Sequence, residues 1–303
     1  MGFADLRAFM AELDSADLLK RVVEPVSLVH EMTEIHRRVL AAKGPAVLFE
    51  KPVDASGEVL CRMLGDIGAA GRSVVSVARP TTTKTRVLAR VQQVVRFDEE
   101  EVDDLSGDDV ARLVEAAGRA IDEADALVLE DYNKGVLTTA VIESAIARAR
   151  GRRIPVVVDP KYRNFFSYRG ATVFKPNRRE LEAALGAAVD LDHPAALPAT
   201  HERLDVEHLL LTLGERGMVL ASHDGSVHRA STTAREVYDV VGAGDTVTAY
   251  LAAMLAAGAS AREAADVSNF AAGVEVGKLG AATVSGEEVL DAYDRYVRGD
   301  EGQ

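Results

Sequence analysis

The run Val237-Tyr238-Asp239-Val240-Val241-Gly242-Ala243-Gly244-Asp245-Thr246-Val247-Thr248-Ala249-Tyr250-Leu251 decides how the rest of the chain is understood. A short β-branched segment enters Gly-Ala-Gly-Asp, and an apolar, Ala-rich stretch then runs to Gly258, a residue type suited to ending a helix. The pattern predicts a glycine turn that opens a buried helix. Glycines at a helix start let the backbone approach a ligand, and the unpaired N–H groups of the first turn point at it. The helix dipole favours negative charge at that end. Asp245 lies in the same turn. A carboxylate placed where anions bind repels them unless it has a task, such as taking a proton from a hydroxyl that attacks phosphorus. The other reading is that Asp245 only complements the dipole while the glycines make a tight turn.

The chain has 303 residues, enough for two ordinary domains or one large α/β domain. Its formal net charge is −13, which argues against a nucleic-acid surface or a basic membrane-binding patch. An anionic substrate would then need a local positive site. Cys61 is the single cysteine, so no disulfide framework or cysteine-based zinc site is expected, as suits a reducing cytosol. The N-terminus is amphipathic with acids throughout, unlike a signal or transit peptide. No apolar run is long enough to cross a bilayer. A cytoplasmic protein is expected.

Residues 3–20 and 28–42 carry helical spacing, with a short β-branched run from Arg21 to Val26 between them and a strand at Ala46 to Phe49. The order DLRAFMAELDSADLLKRVVEPVSLVHEMTEIHRRVLAAKGPAVLFEKP…VLCRMLG, over about residues 3–65, resembles the N-terminal segment of prenylated-flavin-dependent decarboxylases of the ubiquinone-biosynthesis type. Nothing after residue 65 continues that resemblance, so no catalytic residue is carried over. Glu31, Glu34 and His36 are taken as a solvated helix face. Residues 66–80 are a Gly/Ala/Ser-rich junction. Strands follow at 81–88 and 93–97, then an acidic run from Asp98 to Asp104 expected to be a solvated loop.

From Val110 the pattern alternates. Helices are expected at 110–121, 138–150 and 178–185, and buried strands at 126–129, 154–158, 171–174 and 208–213. A hairpin follows at 218–230 about Asp224-Gly225, and three helices close the chain at 246–257, 261–276 and 285–296. Apolar strands alternating with helices mean a parallel sheet covered on both faces. Ligands bind beyond the carboxyl ends of such strands. Asp131, Lys134, Asp159, Lys161, Asn177, Thr212, Gly214 and the Gly242–Asp245 turn gather there. Asn177-Arg178-Arg179-Glu180 reads first as a helix capping box. Its functional reading is that Glu180 helps hold hydrated Mg²⁺, which keeps most of its waters and needs few protein ligands. His193, His201, His208, His223 and His228 show no ligand spacing and are expected at the surface.

DVVGAGDTVTAYLAAMLAAG resembles the C-terminal signature of ribokinase-like (PfkB) sugar kinases, KPNRREL their Asn-x-x-Glu motif, and LLTLGERGM their nucleotide strand. Within that superfamily RPTTTKTRVLARVQQVVRFDEE, VLEDYNKGVLT, VVVDPKYRNFFSYRGATVFKPN and VGKLGAATVS resemble heptose-7-phosphate kinase, the kinase half of bifunctional heptose enzymes, over about residues 72–297. The resemblance implies Asp245 as the base and the N–H groups of Gly242, Ala243 and Gly244 as an anion hole for the transferred phosphoryl. It implies Asn177 and Glu180 ordering Mg²⁺ and phosphate. Thr212, Gly214, Gly217 and Asn269 would surround the nucleotide, and Lys161 would meet ATP phosphates. Lys84 and Arg86, or Lys134, would meet the sugar phosphate; two exposed side chains on one strand face is the rival reading for Lys84 and Arg86. The implied partners are ATP and a sugar phosphate destined for lipopolysaccharide, with neither nucleic acid nor membrane, and a homodimer is a possible assembly.

The expected fold is thus α/β and ribokinase-like, a mostly parallel sheet between helices. In the family the chain begins with a strand carrying a sugar-binding Asp, a small β lid and a Gly-Gly segment. Here an unrelated α+β segment stands in that place, and the kinase part is set at 81–303. Three functions follow: a sugar-phosphate kinase, a catalytically impaired nucleotide-binding fusion protein, or a decarboxylase fragment.

Overall fold

The computed structural model describes residues 14–17, 19–22, 26–27, 46–49, 52–53, 75, 77, 79, 82–89, 92–189, 197–232, 240, 242–278 and 282–298. The chain divides into two compact units, Met1–Glu101 and Val102–Gln303.

In the first unit β1 (Leu19–Val22) pairs in parallel with β3 (Ala46–Phe49), and β2 (Val26–Ser27) with β4 (Pro52–Val53). The helix expected at 3–20 does not reach its predicted end. Asp17 takes the left-handed conformation (φ 56°), and Leu19 onwards is strand. The helix expected at 28–42, with Glu31, Glu34 and His36, lies outside the described residues, as do Val59 to Cys61 and most of the junction. β5 (Thr83–Ala89) and β6 (Gln92–Glu99) form an antiparallel hairpin. Asp98 and Glu99, expected in a loop, prolong β6 because backbone pairing continues to Lys84 and Thr83.

The second unit holds a six-stranded sheet in the order β12-β11-β10-β9-β8-β7. β7 (Leu127–Glu130), β8 (Val156–Asp159), β9 (Val173–Phe174) and β10 (His208–Thr212) are parallel; β11 (Met218–Ser222) and β12 (Val227–Ala230) complete it as an antiparallel hairpin. The helices are α1 (Gly107–Glu123), α2 (Thr139–Arg152), α3 (Arg178–Leu185), α4 (Leu197–Leu204), α5 (Ala243–Ala256), α6 (Ala261–Glu275) and α7 (Gly286–Arg298). The order and layering match the expectation, with α4 unforeseen.

Alternation along the strands sorts the core into two layers. Val156, Val158, Leu209, Leu211 and Val219 face one way, packing with Ile142, Ile146, Phe174 and Leu181. Val157, Leu210, Met218 and Leu220 face the other way, against Val247 and Leu251 of α5 and Ala264 and Ala265 of α6. Consecutive apolar residues in β8 and β10 are what a sheet buried on both faces requires. Small alanines let α6 sit close beneath α5. Ser260 and Glu263 form a reciprocal cap that fixes where α6 begins. His201, expected at the surface, is 3% exposed, because α4 turns its ring inward to meet the Glu207 carbonyl through Nε2 at 3.0 Å. His223 is exposed, His208 and His228 are half-buried, and His193 lies outside the described residues.

Candidate active site

Four parallel strands end on the same side of the sheet, and each delivers a polar residue there. β7 ends in Glu130, β8 in Asp159, β10 in Thr212, and Lys175 and Asn177 follow β9. α5 begins beside them. Its cap is Gly242, with φ 101°, a backbone conformation that favours glycine. Asp245 is exposed in the first turn, and Thr248 donates from Oγ1 to the Gly244 carbonyl at 3.0 Å, anchoring that turn.

One cleft of about 790 Å³ is lined by Asn177, Thr212, Gly214, Gly217, Ala243, Gly244 and Asn269, with Leu213, Met218, Val240, Val247, Ala272 and Val276 as apolar walls. A backbone hydrogen bond from Thr212 to the Pro176 carbonyl (3.1 Å) closes β10 onto the Asn177 loop. The Leu213 N–H meets the Gly217 carbonyl at 2.8 Å and forms the rim, where Gly214–Arg216 makes a single 3₁₀ turn. Gly217 has φ 78°, and a Cβ there would lie 2.0 Å from the Ala230 carbonyl oxygen, so the rim turn admits no side chain at this point. Asn269, buried on α6, donates to the Ser231 carbonyl at 2.6 Å.

The capping reading of Asn177 and Glu180 is realised: Asn177 Oδ1 accepts the Glu180 N–H and Glu180 Oε2 accepts the Asn177 N–H, both at 2.9 Å. Glu180 Oε1 accepts from Lys161, so both oxygens of this buried carboxylate are engaged. Burial pulls the Lys161 ammonium down, but the Glu180 hydrogen bond and the charges of Glu180, Asp159 and Glu130 outweigh it and hold its pKa above the ordinary lysine value.

Beneath the glycine turn lies a group the sequence did not single out. Carboxylate oxygens of Glu130, Asp159 and Asp245 lie within 4.8 Å of one another. Lys175, 3% exposed, places Nζ 2.7 Å from Asp159 Oδ2. Burial pushes Glu130 up first, the Asp159 charge and hydrogen bond and the Asp245 charge add to it, and Lys175 opposes; the result is about 8. Asp159 was among the strand-end residues, but Glu130 and Lys175 were passed over although each stands at the end of an apolar run. Asp131, by contrast, is used structurally: it accepts from the Tyr168 hydroxyl at 2.8 Å and from the Asn133 N–H at 2.7 Å. Lys134 lies half-buried in the loop after β7. Lys84 and Arg86 stand two apart in β5, in the first unit.

A glycine-headed helix over strand ends, a cleft beside it and a carboxylate in its first turn together suit transfer of an anionic group. A family profile for the "pfkB family carbohydrate kinase" matches residues 53–288. The chain belongs to the pfkB family of carbohydrate kinases. It is 44% identical over 242 residues to the bifunctional protein HldE of Pelobacter propionicus, covering 79% of this chain and 50% of that protein. It is 46% identical over 223 residues to the bifunctional protein HldE of Azorhizobium caulinodans, covering 73% and 47%. The chain thus spans about half the length of these curated relatives. In fold it is similar to Arabidopsis thaliana ribokinase complexed with ribose and ATP (TM-score 0.60, 22% identity, 84% of each chain). It is similar also to Escherichia coli phosphofructokinase-2 in complex with potassium (TM-score 0.65, 20% identity, 86% of this chain and 85% of that one). The pfkB chain has, among the described residues, no helix long and apolar enough to cross a membrane.

Proposed function

We propose that this pfkB-family chain passes the γ-phosphoryl group of ATP to the anomeric hydroxyl of heptose 7-phosphate. The observation that carries the reading is a cleft lined by Asn177, Thr212, Gly214, Asn269, Ala243 and Gly244, with Gly242 and Asp245 in the same helix-opening turn as the last two. The choice of sugar rests on the kinship with bifunctional HldE proteins.

Asp245, at the open end of the turn, takes the proton of the attacking hydroxyl. The N–H groups of Gly242, Ala243 and Gly244 stabilise charge that develops on the transferred phosphoryl. The adenosine lies along the apolar wall formed by Met218, Val247, Ala272 and Val276, with Gly217 keeping the rim free of a side chain. Lys161 meets the phosphate tail, and Lys134 in the loop after β7 meets the sugar phosphate. Mg²⁺ fits Glu180 only through water, because the cap holds Oε2 and Lys161 holds Oε1. Bound there, it would neutralise phosphate charge.

The domain reading goes with this: a decarboxylase-like segment at 1–65, a junction at 66–80 and the kinase part at 81–303. A second reading, an impaired nucleotide-binding fusion protein, is favoured by one observation. Among the described residues β7 is an end strand of the six-stranded sheet, and Val128 within it is 40% exposed.

The test is ADP release in a coupled assay with Mg·ATP and heptose 7-phosphate. Turnover is expected, and Asp245→Asn should lower kcat by about 10² to 10⁴ while nucleotide affinity holds. Nucleotide binding without turnover in the unmodified chain would transfer support to the second reading.

A further inference from the structure

Lys175 lies under the glycine turn, and nothing in the kinase reading above uses it. Its backbone N–H is fixed to the Val158 carbonyl at 2.8 Å, so the residue is anchored to β8, the strand that ends in Asp159. Its side chain is 3% exposed and its Nζ is 2.7 Å from Asp159 Oδ2. A Cβ built on Gly244 would lie 3.8 Å from Lys175 Nζ and 4.0 Å from Asp159 Oδ2. The ion pair is therefore the floor beneath Gly244, at ordinary contact distance from the place a Cβ would take. Around it stand the carboxyls of Glu130 and Asp245. Uncompensated, that floor would be an acidic patch directly behind a turn meant to receive phosphate, and charges so close act strongly where water is scarce.

We propose that Lys175 is a positioning residue: its buried charge holds and neutralises Asp159 beneath Gly244, so that the turn above can accept a phosphate. Asp245 is then the one carboxylate of the group left open to solvent and substrate. The inference rests on the anion-binding role of the Gly242–Gly244 turn and deepens it. Lys175, buried under the turn, acts through Asp159 and the turn.

Mg·ADP binding, measured by titration calorimetry at pH 8 and pH 6, tests it. Lys175→Met should weaken binding at least tenfold at pH 8. The charge-balanced double variant, Lys175→Met with Asp159→Asn, should return it to within threefold of the unmodified chain. Asp159→Asn alone, which keeps the lysine, should not weaken it by more than threefold, and it supplies a reading if Lys175→Met fails to fold. The loss in Lys175→Met should also shrink at pH 6, where Glu130 of the same acidic group holds a proton that it gives up toward pH 8. The groups facing Asp159 there are Glu130 from β7, Asp245 from α5, Lys161 from the loop after β8, and the phenols of Tyr132 and Tyr168. A purely structural loss would be the same at both pH values. Unchanged affinity in Lys175→Met, a double variant no better than the single one, or a tenfold loss in Asp159→Asn overturns the proposal. An unmodified chain that binds no Mg·ADP overturns it together with the kinase reading. Intact Mg·ADP binding without turnover of heptose 7-phosphate overturns the kinase reading alone and leaves Lys175 to be judged by its affinities.

Discussion

Replacing Glu130 by Gln should flatten the dependence of stability on pH. Glu130 ends β7 with its carboxyl beside Asp159, and burial, with the neighbouring carboxylates, lifts its pKa from 4.5 to about 8. The folded chain therefore keeps a proton that the unfolded chain gives up near pH 4.5. Between those two values the folded state binds more protons, so stability falls as pH rises. The contribution is complete below the unfolded value and is lost as pH passes through about 8. At about 1.4 kcal/mol per pH unit the whole window would amount to about 5 kcal/mol. Glu130 is only partly buried, and solvent screening reduces that to about 2 kcal/mol. Gln keeps the shape and cannot ionise. Urea unfolding of both proteins, followed by circular dichroism at pH 5.5, 7.0 and 8.5, measures the difference. The unmodified chain should lose about 2 kcal/mol relative to Glu130→Gln between the lowest and highest pH. Parallel curves for the two proteins would refute the reasoning, since they would mean that Glu130 ionises alike in the folded and unfolded states.

Other substitutions separate structure from chemistry. Asn177→Ala removes the Oδ1 acceptor of the α3 cap and should cost about 1 kcal/mol, seen in calorimetry as a Tm lower by about 2–4 °C. Gly217→Ala forces a Cβ against the Ala230 carbonyl at a positive φ; it should destabilise the chain by more than about 1 kcal/mol and weaken nucleotide binding, both read in one ligand-dependent melting series. Lys161→Gln removes the charge but keeps a donor for Glu180 Oε1 and leaves the cap alone, so nucleotide affinity should fall while Tm changes by less than in Asn177→Ala. An equal fall in Tm would mean that Lys161 serves α3 rather than the phosphates.

The candidate site was legible in the sequence wherever its geometry uses a backbone peculiarity. Gly242 at positive φ, the glycine rim at Gly214 and Gly217, and the Asn177–Glu180 capping box each leave a residue type in fixed local order. The Glu130, Asp159 and Lys175 group was not legible as a unit. Its members are ordinary strand-end residues, separated along the chain by whole helices, and only strand order decides that they meet. His201 shows the same limit from the other side, since its burial depends on α4, a two-turn helix not foreseen from the sequence.

The sequence alone determined the alternation of apolar strands and helices, the parallel sheet that follows from it, and the glycine-headed helix with Asp245 in its first turn. Those are properties of local periodicity and backbone freedom, which any chain of this order would carry. Tertiary structure decided which strand ends are neighbours. It set Lys175 against Asp159 under Gly244, committed both oxygens of Glu180, and raised the proton affinity of Glu130. These depend on distances of a few ångströms and on exclusion of water, and neither exists until the strands lie side by side.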